Sequence, residues 1–285
     1  MTLSVLPSGK TLGAEIVVDL AGDTDDATFR RIEAAFHDHI VVVFRNQRLS
    51  SERQIAFSRR FGELEIHIVK KYLLADYPEI LLVSNIKNAA GENIGLADAG
   101  FTWHSDVSYR QRPSRCSLLY AIEVPEQDGV TLGNTVFANT IRAYDALPDS
   151  MKTWLAGRRA VHRYSERMRV ANSPRPKLTA AQLAETPDVA HPIVRTHPFT
   201  GRRALYVTKG ECIGIEGVPD DEGRAVIEEL HDHCLRPEFH YRHQWRTGDL
   251  LMWDNATAMH LAICDYALPQ RRLMHRTTVI GSVPF

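Results

Sequence analysis

The stretch "FHYRHQWRTGDLLMWDNATAMHLAICDYALPQRRLMHRTTVIG" (residues 239–281) holds four strand-length runs, FHYRHQW, DLLMWDN, AMHLAI and LMHRTTVIG. Aromatic and β-branched residues at that spacing predict successive strands. Similar runs stand upstream at 40–46 (IVVVFRN), 79–86 (EILLVSNI), 117–124 (SLLYAIEV) and 134–139 (NTVFAN). Residues 191–208, HPIVRTHPFTGRRALYVT, read as a hairpin around Thr200-Gly201. Helical spacing marks 23–39, where Phe29, Ile32 and Phe36 share a face, and 50–62, with Ser at its cap and Gly62 at its end. Further helices are expected around 140–148, 150–157 and 220–235.

Strands thus dominate the core and helices lie outside it. A jelly-roll-like β architecture with flanking helices fits this pattern better than a parallel βαβ fold. No repeat or linker divides residues 1–285, so one domain is expected. Residues 165–190 are polar and proline-interrupted, too long for an ordinary connector, and read as a lid over a site or as a plain surface excursion. Neither GxGxxG nor a P-loop occurs, which removes the commonest nucleotide readings.

With 34 basic and 35 acidic residues, the chain has no global attraction to nucleic acid or to an anionic membrane. A small-molecule partner is the better expectation. Four scattered cysteines without a CxxC pair suit a reducing compartment, and no apolar run nears the roughly 18 residues of a membrane span. The reading is cytoplasmic.

"WHSDVSY" (103–109) carries the first chemical signal. Read as a buried strand, it turns His104 and Asp106 to one face, with Ser105 away. On a helix the same spacing would splay them by roughly 200°. HDH at 37–39 and 231–233 falls at helix ends, where solvated or capping roles are expected. Imidazole and carboxylate together suit a divalent metal, and two histidines with one carboxylate form the facial triad of non-haem ferrous oxygenases. His260, in LLMWDNATAMHLAICDY, offers the third ligand, although a lone histidine in an apolar stretch is more often a core residue. Arg272 and Arg276, four apart on one strand face, would need anions: a dicarboxylate co-substrate, or structural partners such as Asp254 or Asp265.

In joint order, VVVFRNQ, FSRRFGELEIH, WHSDVSY, GNTVFAN, HPIVRTHPFTG, MWDN and PQRRLMHRTTVIG make the chain resemble the taurine dioxygenase family, which includes chlorophenoxyacetate dioxygenases. The resemblance implies a double-stranded β-helix core, Fe(II) held by His104, Asp106 and His260, and 2-oxoglutarate and O2 as co-substrates. It implies release of succinate and CO2, oxidation of a substrate C–H bond, and a dimer or tetramer. Arg272 and Thr135 match the residues that hold the distal carboxylate of 2-oxoglutarate. Arg271 is the fallback, because the spacing from His260 is one residue longer than in the taurine enzyme. His67 and Arg276 match the pair that holds the sulfonate there.

Around the substrate the chain departs from the taurine pattern. Lys70 stands for a tyrosine, Gly100 for an asparagine, and Met168 and Glu211 for aromatic residues. A small anionic substrate other than taurine follows, larger or more polar, with Lys70 and Glu211 among its contacts. Trp103 and Tyr109 read as packing. A metal-dependent hydrolase and a non-catalytic binding protein of the same fold are the alternatives. Oxygen uptake dependent on ferrous iron and 2-oxoglutarate separates the three.

Overall fold

The computed structural model describes residues 3–166, 179–184 and 186–285. The opening strands are β1 (Ser4–Pro7), β2 (Ala14–Val17) and β3 (Val41–Phe44), with helix α1 (Asp26–His39) before β3 and α2 (Ser51–Arg59) after it. β4 (Leu73–Leu74), β5 (Tyr77–Ser84), β6 (Ser114–Glu123), β7 (Glu126–Gln127), β8 (Val130–Thr131) and β9 (Thr135–Asn139) follow. Helices α3 (Thr140–Asp145) and α4 (Asp149–Leu155) lead into β10 (Arg159–His162). Then come α5 (Ala180–Ala184), β11 (Val189–Pro192), β12 (Val194–Thr196), β13 (Arg203–Leu205) and β14 (Cys212–Ile215). Helix α6 (Asp220–Cys234) precedes β15 (His240–His243), β16 (Leu250–Asp254), β17 (Ala258–Ala262) and β18 (Leu273–Ile280).

The fold is mainly β with flanking helices. The principal sheet runs β1-β2-β3-β16-β6-β18-β5-β4, antiparallel except where β2 lies beside β3. A second antiparallel sheet runs β15-β9-β17. Alternation assigns the faces. On one face of the principal sheet Val42, Phe44, Leu118, Leu250 and Met252 meet Ile32 and Phe36 of α1 and Phe57 of α2. On the other, Val41, Val43, Leu119, Leu251 and Trp253 meet Phe137 of β9 and Ala258 of β17. Period-2 side chains thus bury the sheet on both sides, which explains runs such as LLMW with no polar alternation. The helices begin at real caps: Asp25 accepts from Thr28 N–H at 2.8 Å, and Ser50 from Arg53 N–H at 3.3 Å.

The structure corrects the local reading of WHSDVSY. His104 makes a single bridge to His260, and the chain then turns through Asp106 to Tyr109, with Val107 at φ 61°. The two side chains converge because tertiary hydrogen bonds shape that turn, not because a strand alternates. Arg272 likewise sits just before β18 rather than within it. Of the HDH histidines, His37 is half-buried and stacks on Phe199 with centroids 4.9 Å apart, while His231 is buried rather than solvated. His233 does cap, donating from Nε2 to Ala143 O at 2.8 Å. Half of the expected lid at 165–190 falls outside the described residues, as does Met168. All four cysteines are free thiols, and no helix among the described residues is long and apolar enough to cross a membrane.

Candidate active site

The site lies between the two sheets. His260 comes from β17 and is paired with His104 through reciprocal backbone hydrogen bonds, His260 N–H to His104 O at 2.9 Å and the reverse at 3.1 Å. The pairing sets the imidazoles side by side, tilted by 46° with centroids 4.0 Å apart. Asp106, two residues on, brings Oδ1 to 3.5 Å from His104 Nε2 and Oδ2 to 3.8 Å from His260 Nε2. One ligand atom from each residue fits within 4.8 Å of the others, and all three side chains are buried. Among the described residues no other group of His, Cys, Asp or Glu is so placed.

The surroundings prepare these groups as ligands. His104 Nδ1 lies 2.7 Å from Thr102 O, so that nitrogen carries the proton and Nε2 turns its lone pair towards Asp106 and His260. Burial alone would raise the Asp106 carboxyl. Arg276, His260 and His104 outweigh it and hold the group well below the ordinary carboxylate range. Arg276 Nη1 pairs with Asp106 Oδ1 at 3.2 Å, and Ser117 Oγ donates to Oδ2 at 2.7 Å. Asn255 accepts from the Asp106 amide at 3.1 Å and donates to Ser117 Oγ at 3.2 Å. Ser117 and Asn255 carried no sequence signal as supports. MWDN was visible only within a strand run and as part of the family resemblance, and Ser117 only as a strand residue.

A buried cation stands nearby. Arg272 is 2% exposed, and its guanidinium donates to Gly133 O at 2.9 Å and, at 3.5 Å, to the Tyr266 hydroxyl. Its Nε has no hydrogen-bond partner, and no carboxylate pairs with it among the described residues. Trp245 links it to Thr135: the Arg272 Cζ lies 5.9 Å from the indole centroid, and the indole N–H donates to Thr135 Oγ1 at 3.1 Å. Arg271, by contrast, is exposed and paired with Glu123 at 3.2 Å. A buried guanidinium without an anion is costly. An external carboxylate resolves that cost, so the donor set fits both a divalent metal and a dicarboxylate. Trp245, Tyr266 and Gly133 were not singled out from sequence.

The expected substrate contacts are placed unevenly. The segment before His67 runs along β18, Glu65 N–H bonding Thr278 O at 2.8 Å. His67 Nδ1 accepts from Val69 N–H at 3.1 Å, leaving the proton of the neutral ring on Nε2. Glu65, missed from sequence, has a carboxyl pushed up by burial against the pull of Arg276 and Arg110. Lys70 is exposed in a single 3-10 turn. Glu211 is buried and accepts from Ser105 N–H at 3.4 Å, so it braces the loop bearing His104 and Asp106. Gly100, at φ +81°, faces the site: a Cβ there would stand 3.4 Å from His104 Cε1 and 3.3 Å from Ala262 Cβ. Trp103 packs beside His240, and Tyr109 packs edge-on to Tyr164, both as expected.

Comparison with known proteins agrees with this geometry. Residues 4–278 match the family model described as "Taurine catabolism dioxygenase TauD, TfdA family". The α-ketoglutarate-dependent 2,4-dichlorophenoxyacetate dioxygenase of Burkholderia sp. (strain RASC) is 35% identical over 271 residues, covering 92% of this chain and 89% of the relative. An α-ketoglutarate-dependent sulfate ester dioxygenase of Pseudomonas putida is 30% identical, covering 100% and 91%. Among solved structures, AAD-2 in complex with Mn(II) and N-oxalylglycine superposes with a TM-score of 0.83 at 30% identity, covering 100% of this chain and 99% of that one. The chain therefore belongs to the TauD, TfdA family and is a 2-oxoglutarate-dependent dioxygenase.

Proposed function

We propose that residues 1–285 form one catalytic domain that oxidises a C–H bond of a small organic anion, with release of succinate and CO2. The two facing sheets are read as the halves of a double-stranded β-helix. His104, Asp106 and His260 hold Fe(II), which when bound supplies the oxygen chemistry. The observation that carries this reading is an ionised Asp106 set between two imidazoles, beside a buried Arg272 that lacks a carboxylate. A hydrolytic metal site would leave Arg272 unexplained.

The chain's own residues bind and orient. Arg272 pairs with the distal carboxylate of 2-oxoglutarate, and the Thr135 hydroxyl, accepting from Trp245, is left to donate to the same group. Arg276 keeps Asp106 charged and, with His67, receives the substrate's anionic group; Lys70 attracts that group from the exposed rim. No side chain needs to move a proton, because the residues act by positioning and by excluding water. Gly100 leaves room beside His104, which favours an acid bulkier than taurine. The named substrates of two relatives, an aryloxyacetate and sulfate esters, are anions too.

The test is a screen of aryloxy acids, sulfonates and sulfate esters for succinate formation and oxygen uptake with Fe(II) and 2-oxoglutarate. A His104→Ala control is expected to be silent. Taurine emerging as the best substrate would overturn the size argument. Turnover that persists without 2-oxoglutarate would overturn the whole reading.

A further inference from the structure

We propose that a second pocket, built around Arg195, binds a small oxyanion. This inference is independent of the function proposed for the iron site. The cavity measures about 240 Å3 and is lined by Arg112, Arg115, Arg195, His197, Asp254 and Phe199, among others. Its volume lies below the roughly 300 Å3 at which drug-sized ligand sites begin, so it suits an ion of a few heavy atoms.

Arg195 is the reason for the assignment. It is 1% exposed, yet its Nε and Nη1 have no hydrogen-bond partner, and no carboxylate pairs with it among the described residues. Its Cζ lies 4.8 Å from the Tyr206 ring centroid, a cation–π contact that offsets only part of the lost hydration. The other charges on the cavity are largely engaged. Arg115 pairs with Glu33 and donates to Phe61 O, both at 2.6 Å, and its Cζ lies 4.0 Å from the Phe199 centroid. Asp254 accepts from His197 Nε2 at 2.7 Å and from Ala256 N–H at 2.7 Å. His197 Nδ1 is occupied by Thr200, accepting from its N–H at 3.0 Å. Arg112, exposed at the mouth, donates from Nε to Gly281 O at 3.0 Å.

Counting Arg112, Arg115 and Arg195 against Asp254 and Glu33 leaves one positive charge in excess. Nearby, Phe285 O accepts from Thr196 N–H at 2.7 Å. A phosphate or a carboxylate anion supplies the acceptor oxygens that Arg195 Nε and Nη1 lack, adding to the electrostatic attraction of Asp254.

Thermal unfolding of the full chain in inorganic phosphate, against chloride at matched ionic strength, tests the proposal. At a hundredfold excess over Kd the wild type is expected to gain about 5 °C in Tm. Arg195→Met is expected to abolish the gain, and Arg112→Ala to weaken phosphate binding about fivefold. Succinate, tested in an Arg272→Met background so that the proposed co-substrate site is silent, separates a carboxylate preference from a phosphate one. The proposal falls if neither anion raises the wild-type Tm beyond chloride, or if the gain survives undiminished in Arg195→Met. Should that variant not fold, undiminished binding in Arg112→Ala overturns it.

Discussion

Ser117→Ala probes whether Asp106 is a prepared ligand or only a buried acid. The Ser117 hydroxyl donates to Asp106 Oδ2 at 2.7 Å in a fully buried setting, and Arg276 serves Oδ1 at 3.2 Å. A hydrogen bond to a charged group is worth about 1.5–3 kcal/mol. With about 1.4 kcal/mol per decade, its loss corresponds to a factor of about 10–100 in an equilibrium constant. That matches the roughly 10–100-fold cost usual when an outer support of a metal ligand is removed. Asn255 keeps its other bonds, to Ser114 Oγ at 2.9 Å and to the Asp106 amide, so the turn itself should hold. Anaerobic titration with Fe(II), or with Mn(II) as a redox-stable probe, is expected to show Kd raised about 10–100-fold. KM for 2-oxoglutarate, measured at saturating metal, should stay unchanged because nothing at Arg272 is touched. A metal Kd within twofold of wild type would refute the view that Ser117 positions Asp106.

Arg272→Met should raise KM for 2-oxoglutarate about 10–100-fold without destabilising the metal-free protein, because it removes a buried cation that has no carboxylate. Arg271→Ala, which breaks only an exposed pair with Glu123, should change neither in steady-state kinetics or urea unfolding. Gly133→Ala would bring a Cβ to 2.9 Å from both Arg272 Nη1 and Tyr266 Cε1 at φ +67°. Calorimetry should show about 1–3 kcal/mol lost, with a higher KM for 2-oxoglutarate. Burial lowers His162 to about 3 and His191 and His231 to about 4, from an ordinary 6.5. The unfolded chain therefore takes up protons that the folded chain refuses. The stability they contribute is complete above pH 6.5 and is lost as pH falls towards 4, by about 1.4 kcal/mol per pH unit for each histidine. Urea unfolding at pH 7, 6 and 5 reads that slope, and His231→Phe should remove one histidine's share.

What the sequence could show and what it could not divide along one physical line. Residue type and run length report a strand, so DLLMWDN could be read as one, but that both its faces are buried is seen only in the structure, which places Leu250 and Met252 against α1 and α2, Leu251 and Trp253 against β9. Residue identity reports chemistry, so His104, Asp106, His260 and the two arginines could be singled out before any geometry. Register across distant strands is reported by neither. His104 meets His260 only because their backbones pair, and Ser117 meets Asp106 only because β6 lies beneath the turn. That turn is held by Ser105 Oγ on Ala258 O at 3.1 Å and by Ser108 Oγ, 3.1 Å from His162 Nδ1. Such tertiary bonds override the strand preference of WHSDVSY and carry Val107 to positive φ, where β-branched residues are rare. Glu211 shows the same blindness from the other side. Its charge suggests a substrate contact, and its hydrogen bond from the Ser105 amide, a support of the loop, had no sequence signal. The supports of a site are therefore harder to foresee than its ligands: a ligand must be one of a few chemical types, while a support need only be a polar group that topology delivers to the right atom.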